Sequence, residues 1–182
     1  TLNGLSSSDD IQLRSLVLML ELIVLLGAGV RAAPACDEDA FGMRAVDALV
    51  DGGVEALVVT IPAGFELEFN DALGGVAAPV RCVRGGASRQ ESVACGLSAL
   101  QAPDDAVVLV HDAARALVPP SVVRSVSDAV AGGAASAIPV VPVVDSIRRV
   151  DDDTSVVVNR ARLRAVQTPQ GARLGPLRDA HA

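Results

Sequence analysis

His111-Asp112-Ala113-Ala114-Arg115 follows the apolar run Ala106-Val107-Val108-Leu109-Val110 and delivers an acid and a guanidinium to one strand end. In an open α/β sheet that end is where ligands bind. A carboxylate there can hold hydroxyls or a metal-bound phosphate, and an arginine presents a planar fork that matches phosphate. The same Asp-x-x-Arg could instead be a surface ion pair capping the strand. Four further segments on either side of it weigh toward a site.

Gly27-Ala28-Gly29-Val30-Arg31 also follows an apolar run. Glycines let backbone N–H groups approach a polyphosphate, and Arg31 can neutralise charge developing on it. The third glycine of a dinucleotide fingerprint is missing and no ribose-binding acid is evident, which disfavours a nicotinamide enzyme. A tight turn is the plain alternative. Gly85-Gly86-Ala87-Ser88-Arg89-Gln90-Glu91-Ser92 runs into a helix, where the backbone and Ser92 could hold the edge of a base. Ser88 and Glu91 also have the spacing of a reciprocal helix cap, the ordinary reading of such a stretch. Asp145-Ser146 and Asn159-Arg160 stand at the two bases of a predicted hairpin, which makes a hydroxyl and a guanidinium neighbours. Gln167-Thr168-Pro169-Gln170 is a polar turn directly after Val166.

The elements that must position these residues alternate. The sequence predicts a loose terminus over 1–15, a first strand over 21–26, a helix over 43–51 and a strand over 55–61. A weak helix over 65–73, a short strand over 80–83 and a helix over 88–100 follow. The strand over 105–110 comes next, then a helix opened by Pro119-Pro120 and closed by Gly132-Gly133. Ala135 to Val144 reads as a strand that Pro139 and Pro142 confine in part to an edge. From about 145 to 164 two alternating stretches flank Asp-Asp-Asp-Thr, predicting a protruding hairpin arm. The chain then returns to the core, and a last helix begins near Leu174. The βα rhythm predicts one domain over 16–182, a three-layer α/β fold with a mostly parallel sheet.

Composition agrees and excludes. About half of the 182 residues are hydrophobic, with only three aromatics, so the core is Val, Leu, Ile and Ala, as suits a covered parallel sheet. A net charge of −7 with no basic stripe argues against nucleic acid, and every basic residue is an arginine. Cys36, Cys82 and Cys95 lack metal-ligand spacing, and no metal site is expected from side chains alone. A reduced, cytoplasmic chain is the expectation. The run Leu16 to Leu26 is too short for a membrane span, and Glu21 interrupts it. An acidic leader argues against a signal peptide, although Arg14 and the Ala-rich stretch ending at Cys36 keep that alternative in view.

Gly-Gly-x-Ser-Arg-x-x-Ser-Val (85–93), Val-His-Asp-Ala-Ala-Arg (110–115), Pro-Val-x-Asp-Ser-Ile (142–147) and Ala-Val-Gln-Thr-Pro-Gln (165–170) occur in this order and spacing. From about Glu21 onward the chain resembles the 2-C-methyl-D-erythritol 4-phosphate cytidylyltransferase family. The resemblance implies a Rossmann-like nucleotidyltransferase fold and transfer of a cytidylyl group from CTP to a sugar-alcohol phosphate, with Mg²⁺ carried on the CTP phosphates. It implies that Gly27, Ala28, Gly29 and the catalytic Arg31 cradle the triphosphate, and that Gly86, Ala87 and Ser92 meet the cytosine. It further implies that Asp112, Arg115, Ser146 and Thr168 hold the acceptor and that Arg160 is catalytic. Ser146 and Arg160 would reach the site across a homodimer. In the family a lysine follows the first loop; here Asp37, Glu38 and Asp39 stand there, and the family extends past the position of Ala182. These departures leave a second reading, a homologue that binds nucleotide or dimerises without turnover. Ribitol phosphate is an alternative acceptor.

Overall fold

The computed structural model describes residues 16–21 and 38–181. Gly27, Ala28, Gly29 and Arg31 therefore lie outside the described residues, as do residues 1–15, where the sequence predicts a loose terminus, and Asp37.

Two strands of the main sheet, Ala56–Ile61 and Val107–Asp112, are short apolar runs buried along nearly their whole length, as covered central strands must be. Strands β1 (Leu16–Glu21), β2 (Ala56–Ile61), β3 (Val80–Arg84) and β4 (Val107–Asp112) are mutually parallel, in the spatial order β3-β2-β1-β4. Beyond β4 lie β10 (Gln170–Arg173), antiparallel, and the two-residue β5 (Ser136–Ala137) at the edge. The chain moves from β1 outward to β3 and then crosses to β4 on the other side. The switch point of the sheet thus falls between β1 and β4, and Asp112 ends β4 there, in register with Glu21.

Side chains alternate across this sheet with period two. Leu57, Val59, Ile61, Val107 and Leu109 enter one core with helices α1 (Glu38–Asp51), α2 (Glu66–Leu73) and α4 (Pro120–Ala131). Val58, Val108 and Val110 enter the other with α3 (Arg89–Ala99) and α5 (Leu174–Asp179). Two helical layers enclose one sheet, as the sequence predicts. Helix α4 shows the rule plainly: Val123, Val126 and Val130 are buried at helical spacing, Pro120 starts the helix and Gly132 ends it. Leu109 is wholly buried, so Leu109→Ala would cost about 2–5 kcal/mol.

Four local expectations are corrected. The first strand starts earlier than predicted, with Leu16–Glu21 as its described part, and residues 22–26 of the predicted strand lie outside the described residues. The apolar run offers more than one register, and within it Leu16–Glu21 pairs with β2 and β4. Helix α1 opens at Glu38, five residues before the apolar periodicity that announces it, so Glu38 and Asp39 belong to its first turn and not to a loop. The predicted strand over 135–144 splits into β5 and β6 (Val140–Pro142) at Ile138-Pro139, because proline cannot continue the ladder. Strand β10 is the fourth difference. Gln-Gly-Ala-Arg carries no strand signature, but a Cβ on Gly171 would lie 2.8 Å from Val126 Cγ1 and 3.1 Å from Leu109 Cδ2. Glycine is what lets α4 close onto β10.

The arm is two stacked ribbons. Strand β6 pairs with β9 (Arg164–Val166) at the base, and β7 (Ile147–Asp151) pairs with β8 (Thr154–Val158) at the tip. A short 3₁₀ turn at Arg160–Arg162 joins them, capped by the Asn159 side chain.

Candidate functional site

The acceptor corner forms where β4 ends. Its first component is the turn after Asp112, closed by the Arg115 N–H donating to the Asp112 carbonyl at 2.9 Å. That turn folds the Arg115 side chain back, so its Nε reaches Asp112 Oδ2 at 3.5 Å while another of its nitrogens donates to Gln167 Oε1. From the opposite side Arg89, the first residue of α3, donates to Asp112 Oδ1 at 3.1 Å. Two guanidiniums thus share one carboxylate. These side chains are a quarter to under half exposed, and ion pairs so exposed add little to stability. Their value is that they hold guanidinium groups in place where an α/β sheet takes an anion, on a protein of net charge −7.

Beneath this cluster sits His111, wholly buried. Its Nδ1 lies 3.0 Å from Thr168 Oγ1 and its Nε2 lies 3.3 Å from the Arg115 carbonyl oxygen. Thr168, itself buried, also accepts from the Asp112 N–H at 3.3 Å. Burial pushes the imidazole pKa down to about 4, against smaller upward pulls from the Arg115 carbonyl and the Asp112 charge, so the ring is neutral at pH 7. Thr168 begins the turn that leads through the cis Thr168–Pro169 peptide into β10. The Gln167 N–H donates to the Pro139 carbonyl at 2.9 Å, which fastens this turn to the root of the arm.

The loop ahead of α3 is preformed. Ser88 caps the helix by accepting from the Glu91 N–H at 3.2 Å, and Glu91 Oε2 accepts from the Ala87 N–H at 2.6 Å, one residue earlier than a reciprocal cap requires. Ser92 Oγ accepts from the Gly86 N–H at 3.1 Å and donates to the Ser88 carbonyl at 3.0 Å. A Cβ on Gly86 would fall 2.2 Å from Glu91 Cβ, so no other residue fits this path. Arg89 joins this loop to the corner through Asp112.

Asp112, Arg115 and Thr168 therefore meet, and Gly86, Ala87 and Ser92 form the adjoining loop. Ser146 and Arg160 lie at the arm's base, where the β7–β8 register brings residues 146 and 159 close and Arg160 donates to the Val144 carbonyl. Among the described residues no hydrogen bond or ion pair joins Ser146 or Arg160 to the corner. Three participants escape the motif reading: Arg89, His111 and Gln167. The alternation of β4 places His111 on the same face as Val107 and Leu109, where a histidine reads as core. Only its contacts reveal more.

Between the corner and the arm's root, a cavity of about 610 Å³ is lined by Leu117, Val118, Pro119, Val140, Val141 and Thr168, among others. The arm exposes Val144, Val150 and Val157, each about three-quarters exposed. Isolated ribbons with bare valines are unfinished surfaces. Among the described residues no three His, Cys, Asp or Glu side chains converge as metal ligands, and no helix is long and apolar enough to cross a membrane.

Residues 36–182 match the family described as 2-C-methyl-D-erythritol 4-phosphate cytidylyltransferase. The protein of that name from Saccharopolyspora erythraea is 46% identical over 166 residues, which span 87% of this chain and 74% of the relative. That from Corynebacterium efficiens is 56% identical over 103 residues, 56% of this chain and 41% of the relative. Among solved structures, that of the Thermus thermophilus protein of the same name superposes with a TM-score of 0.66 at 31% identity, covering 92% of this chain and 75% of the other. The 4-diphosphocytidyl-2C-methyl-D-erythritol synthase structure from Anaerococcus prevotii gives a TM-score of 0.73 at 20% identity over 92% and 75% of the two chains, and bears on the fold alone.

Proposed function

The chain belongs to the 2-C-methyl-D-erythritol 4-phosphate cytidylyltransferase family, and on that premise we propose that it transfers a cytidylyl group from CTP to 2-C-methyl-D-erythritol 4-phosphate. An oxygen of the acceptor phosphate attacks the α-phosphorus of CTP. The bond from that phosphorus to the oxygen bridging the β-phosphate breaks, and pyrophosphate leaves with the electron pair. Such transfer asks a protein for position and charge neutralisation more than for proton traffic. The observation that carries the reading is the acceptor corner, with Arg89 and Arg115 both held on Asp112 at the switch point of the sheet.

In this reading Arg115 pairs with the acceptor phosphate and Asp112 takes hydroxyls, while Thr168 shapes the floor beneath them. Gly86, Ala87 and Ser92 shape the cytosine site, where Gly86 admits no side chain. Gly27, Ala28, Gly29 and Arg31 face the triphosphate by their motif. A divalent cation, Mg²⁺ above all, would arrive on the CTP phosphates and would supply charge neutralisation there. Beside it the protein's arginines, Arg31 and Arg115 among them, would add positive charge.

The site is completed by a homodimer. Ser146 and Arg160 of the partner subunit approach the corner, and the bare valines of the arm and the apolar cavity at its root supply the contact area. A cytoplasmic location suits an enzyme of phosphorylated small molecules. Purified protein with CTP, Mg²⁺ and methylerythritol phosphate is expected to release pyrophosphate, with ribitol phosphate a weaker acceptor. A folded dimer that releases none would identify a non-catalytic module instead, the outcome toward which the absent lysine points.

A further inference from the structure

The proton pattern around His111 admits one arrangement. The Arg115 carbonyl can only accept, so His111 Nε2 carries the hydrogen. The ring is neutral, so Nδ1 is bare and accepts from the Thr168 hydroxyl, whose oxygen in turn accepts from the Asp112 N–H. Thr168 and the imidazole each use one donor and one acceptor, and the links run from the Asp112 backbone through them to the Arg115 backbone. The two ends are the residues whose side chains form the acceptor corner. The middle is the turn that carries Gln167, which also holds the Arg115 guanidinium.

We propose that His111 is a positioning residue for the acceptor phosphate, tying the turn at Thr168 to the turn at Arg115 so that the Arg115 guanidinium stays aimed beside Asp112. This rests on the cytidylyltransferase reading above. The imidazole is beneath the corner, wholly buried, and touches no substrate. It acts through Arg115, and so bears on the acceptor and not on the nucleotide. Core packing alone would need neither nitrogen bonded; a leucine would fill the place as well.

The test is steady-state kinetics and calorimetric binding of methylerythritol phosphate for the wild type, His111→Leu, His111→Asn, Thr168→Val and the double variant His111→Leu/Thr168→Val. Circular dichroism first establishes that each is folded. Removing the link should raise KM and Kd for the acceptor about tenfold in His111→Leu while KM for CTP changes less than about twofold. His111→Asn, whose amide oxygen falls near Nδ1, keeps the Thr168 contact but not the one to the Arg115 carbonyl, and should leave the acceptor affinity nearly as low as His111→Leu does. Thr168→Val should cost far less in the His111→Leu background than alone. Nitrogen NMR should find the Nε2–H tautomer at pH 7. Equal rises in both KM values, unchanged acceptor affinity in His111→Leu, additive losses in the double variant, or an Nδ1–H tautomer would each overturn the inference while leaving the reaction in place. A wild type that neither turns over nor binds acceptor would overturn the reaction, and the role of His111 in it.

Discussion

The acceptor corner and the arm lie side by side and are built on opposite terms. In the corner, six residues from the end of β4 and the turn after it, α3 and the turn before β10 bind one another through polar contacts that run from buried to exposed, and the result is fixed within one chain. Among the described residues the arm meets that corner at its root, where the Gln167 N–H donates to the Pro139 carbonyl and the Gln167 side-chain amide to the Val166 carbonyl. Beyond it are two ribbons with no sheet behind them, held by their own ladders and by contacts such as Arg148 Nε donating to Ser155 Oγ at 2.9 Å. Val150 and Val157 share the Arg148 face of the tip and remain in solvent. A preorganised corner next to an unfinished ribbon is the contrast on which the proposal of a site shared between two chains rests.

The largest effect should come from the corner itself. Arg115→Ala removes the guanidinium that Asp112 and Gln167 hold in place, and should lower kcat/KM for the acceptor roughly a thousandfold in initial-rate assays. A loss of tenfold or less would mean the corner is a surface ion pair after all. On the arm, Val150→Asp with Val157→Asp places two charges on one exposed face. Sedimentation velocity should show the dimer dissociating at least a hundredfold more readily, with the unfolding temperature of the sheet little changed. If the dimer survives, the arm's valines face something else.

Much of this contrast is legible in the sequence, and its limits are physical. The hairpin is visible because alternation around Asp-Asp-Asp-Thr is a local signal. Asp112, Arg115, Gly86 and Ser92 are visible because each belongs to a short run whose residue types are unusual together. Strand β10 is not, since its identity comes from Leu109 and Val126 closing on Gly171, a contact between segments far apart in the chain. The start of β1 is ambiguous because one apolar run offers two registers and only pairing with β2 and β4 chooses. His111, Arg89 and Gln167 are missed for a common reason: each serves the site by holding another residue, and a holding role leaves no spacing to read.

The remaining predictions probe how firmly the corner is fixed. His111 is held neutral by burial, with its pKa lowered to about 4 from an ordinary 6.5, while Asp112 and Arg115 face it with opposing influences. Between those values the unfolded chain takes up a proton that the folded chain refuses. Stability should therefore fall as pH drops from 6.5 to 4, by about 3 kcal/mol from this group, and should not change on its account above 6.5. Urea titrations across that range should show the slope in the wild type and its loss in His111→Asn. A smaller change is expected beside the corner. Gly86→Ala forces a Cβ into Glu91 and should raise KM for CTP about tenfold with the acceptor KM nearly unchanged, as initial rates against each substrate would show.

The division of one site between two chains is tested most directly by mixing. Arg115→Ala damages only the corner and Arg160→Ala only the arm's base, so each homodimer should be nearly inactive. In an equilibrated equal mixture, half the dimers are mixed, and each mixed dimer pairs one intact corner with one intact arm. Activity should return to about a quarter of the wild-type value, the share expected for random exchange in a symmetric dimer. A mixture no more active than its two components would contradict a corner completed by its partner's arm.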